Sequence, residues 1–142
     1  MFVGPRAGDV LMDFTLTDLA SGDAVKLTDF AGKWVVIETG SSTCSMYTKN
    51  IPDMKEIAGE YADVEFLLVY VREAHPGERL GPPLNMDQKI KAAKLIAPRH
   101  AEHRSVLVDN LAGEFHRAEG SLPNGISFIR PAVRLHYRWI LY

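Results

Sequence analysis

The chain's one cysteine comes after a β-branched run and a small polar turn, Val35-Val36-Ile37-Glu38-Thr39-Gly40-Ser41-Ser42-Thr43-Cys44. Val35-Val36-Ile37 is apolar without alternation, as an interior strand covered on both faces is. Gly40 to Thr43 breaks that strand and offers hydroxyl N-caps to a helix. Met46, Ile51, Met54, Ile57, Ala58 and Tyr61 then recur at helical spacing, which predicts a helix to about Tyr61 with one apolar stripe. Cys44 therefore falls at or beside the first helical residue, where unpaired N–H groups and the helix dipole favour a thiolate. A thiolate so placed is suited to attack on a peroxide oxygen, a disulfide sulfur or a halogen. The alternative is a buried structural cysteine, since free Cys is among the most buried residue types. Strand, turn, Cys and helix in that order set the sulfur at a strand's carboxyl end, the usual place of chemistry in α/β sheets, and favour the reactive reading. With no second cysteine there is no internal disulfide, CxxC metal knuckle or dithiol pair, so an oxidised Cys44 needs an external thiol to restore it.

Other residues compete for a part in that chemistry. His75 and Glu73 lie in a Pro/Gly-rich loop, residues 72–84, that leaves a second buried strand, Val64 to Val71. A histidine there can shuttle a proton to a leaving group, and Glu73 can orient it or hold substrate; the plainer reading is a solvated loop histidine. Ser41, Ser42 and Thr43 are the hydroxyls nearest the sulfur, able to hydrogen-bond a thiolate or merely to cap the helix. His100 and His103 could share a helix face, but Pro98 precedes them and no further ligand is evident, so no metal site is expected. Trp34 and Trp139 read as core or sheet-edge packing, and the lysines of Lys89 to Lys94 as the solvated face of a helix.

Pattern also predicts the elements that must position these residues. Met12, Phe14 and Leu16 alternate with Asp13, Thr15 and Thr17, Ser21-Gly22-Asp23 turns the chain, and Val25-Lys26-Leu27 returns, giving an N-terminal hairpin. The strand–helix–strand run through Cys44 implies parallel pairing, which brings the 72–84 loop and Cys44 to one edge of the sheet. Asn85 to Gln88 opens a second helix that ends before Pro98. Val106 to Asp109 is a short strand, Glu114 to Arg117 one helical turn, and Ile126–Ile129 with Val133–Ile140 a closing hairpin. The 142 residues make one domain, residues 1–142, of α/β class. A hydrophobic content of 46%, a charged content of 24% and a net charge of -2 are those of a soluble protein without a footprint for nucleic acid. No run is apolar enough to span a membrane and the start is no signal peptide, so a cytoplasmic protein without membrane association is expected.

Element order and motifs together resemble the redoxin (peroxiredoxin-like) branch of the thioredoxin superfamily. Asp13-Phe14-Thr15-Leu16 and Leu27-Thr28-Asp29-Phe30-Ala31-Gly32-Lys33 are similar to its opening strands, and Pro123 matches its cis-proline opposite the active cysteine. Tyr47 occupies the place of a thioredoxin's resolving cysteine. Within that branch, Gly40-Ser41-Ser42-Thr43-Cys44 and Phe66-Leu67-Leu68-Val69-Tyr70-Val71-Arg72-Glu73-Ala74-His75-Pro76 resemble the active-site and "FLIIYIEEAHP" segments of the iodothyronine deiodinases. Lys91 to Leu95 and Ala118-Glu119-Gly120 extend the likeness. Pro82-Pro83-Leu84-Asn85 departs from it where the family has a second histidine, and Gly125 where it has an arginine; if those residues clamp an iodothyronine, this chain lacks the clamp.

The resemblance implies a thioredoxin-like α/β fold with a central mixed β-sheet flanked by helices and an N-terminal β-hairpin. It also implies a thiol-dependent oxidoreductase in which Cys44 attacks, His75 manages the proton, Glu73 positions, and Ser41, Ser42, Thr43, Tyr47 and Pro123 form the surroundings. No bound cofactor is expected; a small-molecule substrate and a thiol electron donor are, with a homodimer through the hairpin edge or a disulfide between two Cys44 residues left open. A one-cysteine peroxidase and a binding module with an inert cysteine remain as alternatives. The absent peroxiredoxin proline, replaced by Ile37, speaks against the former.

Overall fold

The computed structural model describes residue 4, residues 6–10, 13–73 and 82–132, and the backbone of 134–141. Seven strands form one mixed sheet: β1 (Thr15–Asp18), β2 (Ala24–Lys26), β3 (Val35–Gly40), β4 (Glu65–Tyr70), β5 (Ser105–Val108), β6 (Asn124–Arg130) and β7 (Arg134–Leu141). Their spatial order is β2-β1-β5-β4-β3-β6-β7. The three central strands β3, β4 and β5 run parallel, and the outer ones pair antiparallel. The helices are α1 (Ser45–Glu60), α2 (Met86–Lys94), α3 (Ile96–His100) and α4 (Glu114–Ala118), with a 3₁₀ turn at Leu27–Phe30. The expected hairpins, the parallel pairing across the Cys44 helix and the mixed sheet are all present.

Side-chain alternation divides the core in two, because successive residues of a strand face opposite sides of the sheet. Val35, Ile37, Leu67, Val69, Leu107 and Ile129 pack on one face with Leu16, Leu27 and Phe115. Leu68, Tyr70, Val106 and Val108 pack on the other with Tyr47 and Ile51 of α1, Ala93 of α2 and Ile96 of α3. Full burial of one such leucine stabilises by roughly 1.5–3 kcal/mol, so the continuous apolar runs of the central strands account for much of the fold.

The second helix ends before Pro98 as expected, at Lys94; after a break at Leu95 a further helix, α3, runs to His100 with Pro98 in its first turn, where a missing N–H costs no helical hydrogen bond. Two local expectations are corrected. The apolar stripe of α1 is shorter than its pattern: Tyr47, Ile51 and Met54 are buried, whereas Ile57 and Tyr61 are exposed. Lys89 is not on a solvated face: it is buried and its Nζ donates to the Asn110 carbonyl at 3.0 Å. Trp34 is partly open to solvent at the start of β3. The side chain of Trp139 lies outside the described residues.

Candidate functional site

The register of β3 on β4 pairs Gly40 with Tyr70, and the Val71 amide donates to the Gly40 carbonyl at 3.0 Å. Both strands therefore end at the same edge, and so does β5, whose Val108 pairs with Tyr70. Cys44 sits there as the N-cap of α1, in extended conformation, its carbonyl accepting from the Thr48 amide at 3.1 Å. Cys44 therefore stands at the end of α1 where the first-turn amides lack helical partners, and its side chain accepts no capping hydrogen bond from them. The sulfur packs against the α-helical face of the core, and Cys44 is only 3% exposed.

The turn before Cys44 is held by Glu73. Its Oε2 accepts from the Thr43 amide at 3.0 Å and from the Thr43 hydroxyl at 2.7 Å, and its Oε1 accepts from the Tyr70 hydroxyl. The Tyr70 oxygen also receives the Ser42 amide at 3.3 Å. The expectation of a hydroxyl N-cap is corrected here: Thr43 donates to a carboxylate, a charge-assisted bond that outcompetes capping, and α1 has no side-chain cap. Ser42 Oγ lies 3.4 Å from Nε2 of His100, and Ser41 is buried, its carbonyl accepting from the Cys44 amide. Glu73, Ser41, Ser42 and Thr43 are therefore brought together around Cys44.

The remaining sequence candidates are placed differently. Tyr47 turns inward, its ring against Gly40 and its hydroxyl 2.6 Å from Glu102 Oε2. Pro123 is exposed just before β6, and its peptide bond is trans, the described residues containing no cis peptide bond. His75 lies outside the described residues. No group of three or more His, Cys, Asp or Glu residues able to hold a metal occurs among the described residues.

Sequence reasoning missed a buried ionic network beneath this edge. Glu38, fully buried on β3, accepts from Arg104 Nη1 at 2.8 Å, from Asn50 Nδ2 at 3.0 Å and from Asn124 Nδ2 at 2.9 Å. Arg104 also grips Glu102 through Nε and Nη2, both at 2.8 Å. Burial by itself would raise the Glu102 carboxyl, but the Arg104 hydrogen bonds and charge, the Tyr47 hydroxyl and the Arg104 amide together hold it at about 2. Tyr47 is driven far above the ordinary phenol range, first by burial and then by its bond to Glu102, and so remains neutral. No buried side-chain polar atom among the described residues lacks a partner. The sequence signals only one end of the network: a glutamate inside an apolar strand requires a buried partner. Nothing in the sequence around Arg104 names it as that partner.

Beside the Cys44 turn a cavity of about 400 Å³ opens at the carboxyl ends of β4 and β5, with Glu73 in its wall. This is the crevice in which open α/β sheets bind ligands.

The sequence profile of the iodothyronine deiodinase family matches residues 7–138. The chain belongs to that family. It is 30% identical over 114 residues to the type II iodothyronine deiodinase of Mus musculus, covering 78% of this chain and 41% of that protein. The Homo sapiens type II enzyme is 35% identical over 76 residues, covering 51% of this chain and 28% of that protein. The chain thus spans well under half the length of the deiodinases it matches. Among solved structures, a Chlorobium tepidum protein assigned as a thiol:disulfide interchange protein superposes with a TM-score of 0.74 at 18% identity, covering 95% of this chain and 85% of the other. The fold is thioredoxin-like. In this deiodinase-family chain the cysteine lies just beyond the carboxyl end of β3, where α1 begins. No helix among the described residues is long and apolar enough to cross a membrane.

Proposed function

We propose that the chain is a thiol-dependent oxidoreductase that removes halogen reductively from an aromatic carbon, with Cys44 as its single nucleophile. The observation that carries this reading is Cys44 at the opening of α1, in a turn that Glu73 holds through both the amide and the hydroxyl of Thr43. Membership of the deiodinase family supports it. In the first step the Cys44 thiolate takes the halogen from carbon. The carbon–halogen electron pair stays on carbon and is protonated, and a sulfenyl halide forms on Cys44. An external thiol then displaces halide to give a mixed disulfide, and a second thiol releases reduced Cys44 and departs as the oxidised disulfide. Glu73 acts through Thr43 as a positioning residue, since both its oxygens are engaged by the fold. The sequence likeness alone makes His75 the proton carrier.

A second reading is favoured by one observation, the burial of Cys44 among Leu68, Tyr70 and Ile96: the cysteine is a packing residue and the chain a binding module. The test is halide release from an iodinated phenol with dithiothreitol as reductant, with Cys44→Ser as the blank. Release that requires Cys44 is expected. Absence of release would overturn the proposal; hydroperoxide oxidising Cys44 far faster than a free thiol would then make the chain a one-cysteine peroxidase, and an unreactive thiol would leave the binding module.

A further inference from the structure

A nucleophile that is 3% exposed meets no substrate, so some part of the cover over Cys44 has to move. Most of that cover is firmly held. α1 is anchored by Ile51 and Met54 in the core and by the Tyr47 hydroxyl on Glu102. Leu68 and Tyr70 belong to β4, a central strand paired on both sides. α2 is capped by Asn85, buries Ala93 completely and is pinned by the Lys89 ammonium on the Asn110 carbonyl.

α3 is held more lightly. It is five residues long, and only Ile96, in the cluster that contains Cys44, is buried. Ala97, Pro98 and Arg99 are exposed. So short a helix has little stability of its own. Its other tie to the site among the described residues is His100, whose Nε2 lies 3.4 Å from Oγ of Ser42, two residues before Cys44. That contact is long, and weaker than the charge-assisted bonds from Thr43 to Glu73 on the other side of the turn. Both ends of α3 are joints. The helical run from α2 breaks at Leu95, and at Ala101 the chain takes φ 58° and ψ 37°, a left-handed conformation that costs an alanine free energy. Glu102, the next residue, is clamped by Arg104. The strain at Ala101 is therefore held between a fixed point and a movable helix, and it is relieved when the helix lifts.

We propose that α3 is a lid over Cys44, hinged at Leu95 and Ala101, with the contact between Ser42 and His100 as its latch. Lifting the lid withdraws Ile96 from the cluster and opens a path to the sulfur, while the sheet, α1 and the Glu73 side of the turn stay in place. The inference rests on the proposed function only in that Cys44 must meet a substrate; the motion itself admits any reagent for the thiol.

Opening is read from the rate at which iodoacetamide labels the reduced full chain, followed by intact mass at urea concentrations below the unfolding transition. A local opening exposes little surface, so the rate is expected to stay nearly flat in urea, whereas labelling through global unfolding climbs steeply. Loss of one modest hydrogen bond predicts labelling about two- to tenfold faster in Ser42→Ala and in His100→Ala. The double variant is expected to be no faster than either single one, because both remove the same contact. Ala101→Gly, which lifts the left-handed cost from the closed state, is expected to slow labelling. Urea midpoints show that each variant is folded. A rate that follows global unfolding throughout would overturn the proposal, as would Ser42 and His100 variants that leave the rate unchanged or act additively, or an Ala101→Gly chain labelled no more slowly. Flat, latch-dependent labelling without halide release supports the lid and overturns the dehalogenation reading; halide release with labelling only through global unfolding does the reverse.

Discussion

At the level of single residues, Gly40 is under a tight steric constraint. A Cβ built there would lie 2.4 Å from Cγ of Tyr47, with two more ring atoms within 2.7 Å. The ring cannot swing away, because its hydroxyl is fixed on Glu102. Gly40→Ala should therefore destabilise by about 1–3 kcal/mol, as overpacking of a filled core does, read as a lower urea midpoint. The same contact explains Tyr47. Its position three residues beyond Cys44 suggests a place near substrate, but the aromatic ring fills the space over a glycine instead. Sequence spacing puts Tyr47 on the correct turn of the helix and cannot say which side of Cys44 it will face.

At the level of elements, the parallel pair β3 and β4 ends in two loops that are stitched to each other, Thr43 to Glu73. Glu73→Ala would remove the carboxylate that the amide and hydroxyl of Thr43 share, a loss of about 1–3 kcal/mol. Glu73→Gln, which keeps one acceptor oxygen, should cost less. Faster hydrogen exchange at the Thr43 amide would identify the loosened turn as the source. This part of the site is legible in the sequence, because a strand–helix–strand run fixes which ends coincide and Cys44 and Glu73 both come after strand ends. The roles of Lys89 and Pro98 are not. The charges around Lys89 match the pattern of a solvated face, but α2 packs beside the Asn110 loop, a contact between segments 21 residues apart. Pro98 has the form of a terminator, and it falls where a new helix can begin.

At the level of the whole molecule, the alternation of the strands makes the α/β class readable, and the buried ions are the part it conceals. Their consequence is a dependence on acid. Glu102 is held at about 2 in the folded chain, below its ordinary 4.5, so it stabilises the fold at any pH above the ordinary value. That contribution is lost as pH falls from about 4.5 through 2. Stability measured by urea titration should decline over this window, and Glu102→Gln should flatten the decline.

The same network has a bearing on time as well as on stability. Its hydrogen bonds join Glu38 to Arg104 and to Asn124, partners 66 and 86 residues away along the chain, and α1 must already be docked for Asn50 to reach the same carboxylate. Contacts that close such long loops form after local ones, once β3, β5 and β6 have assembled. Asn124→Ala should then leave the refolding rate nearly unchanged and speed unfolding in a stopped-flow chevron. The ionic lock beneath Cys44 sets how long the native state persists more than how quickly it is reached.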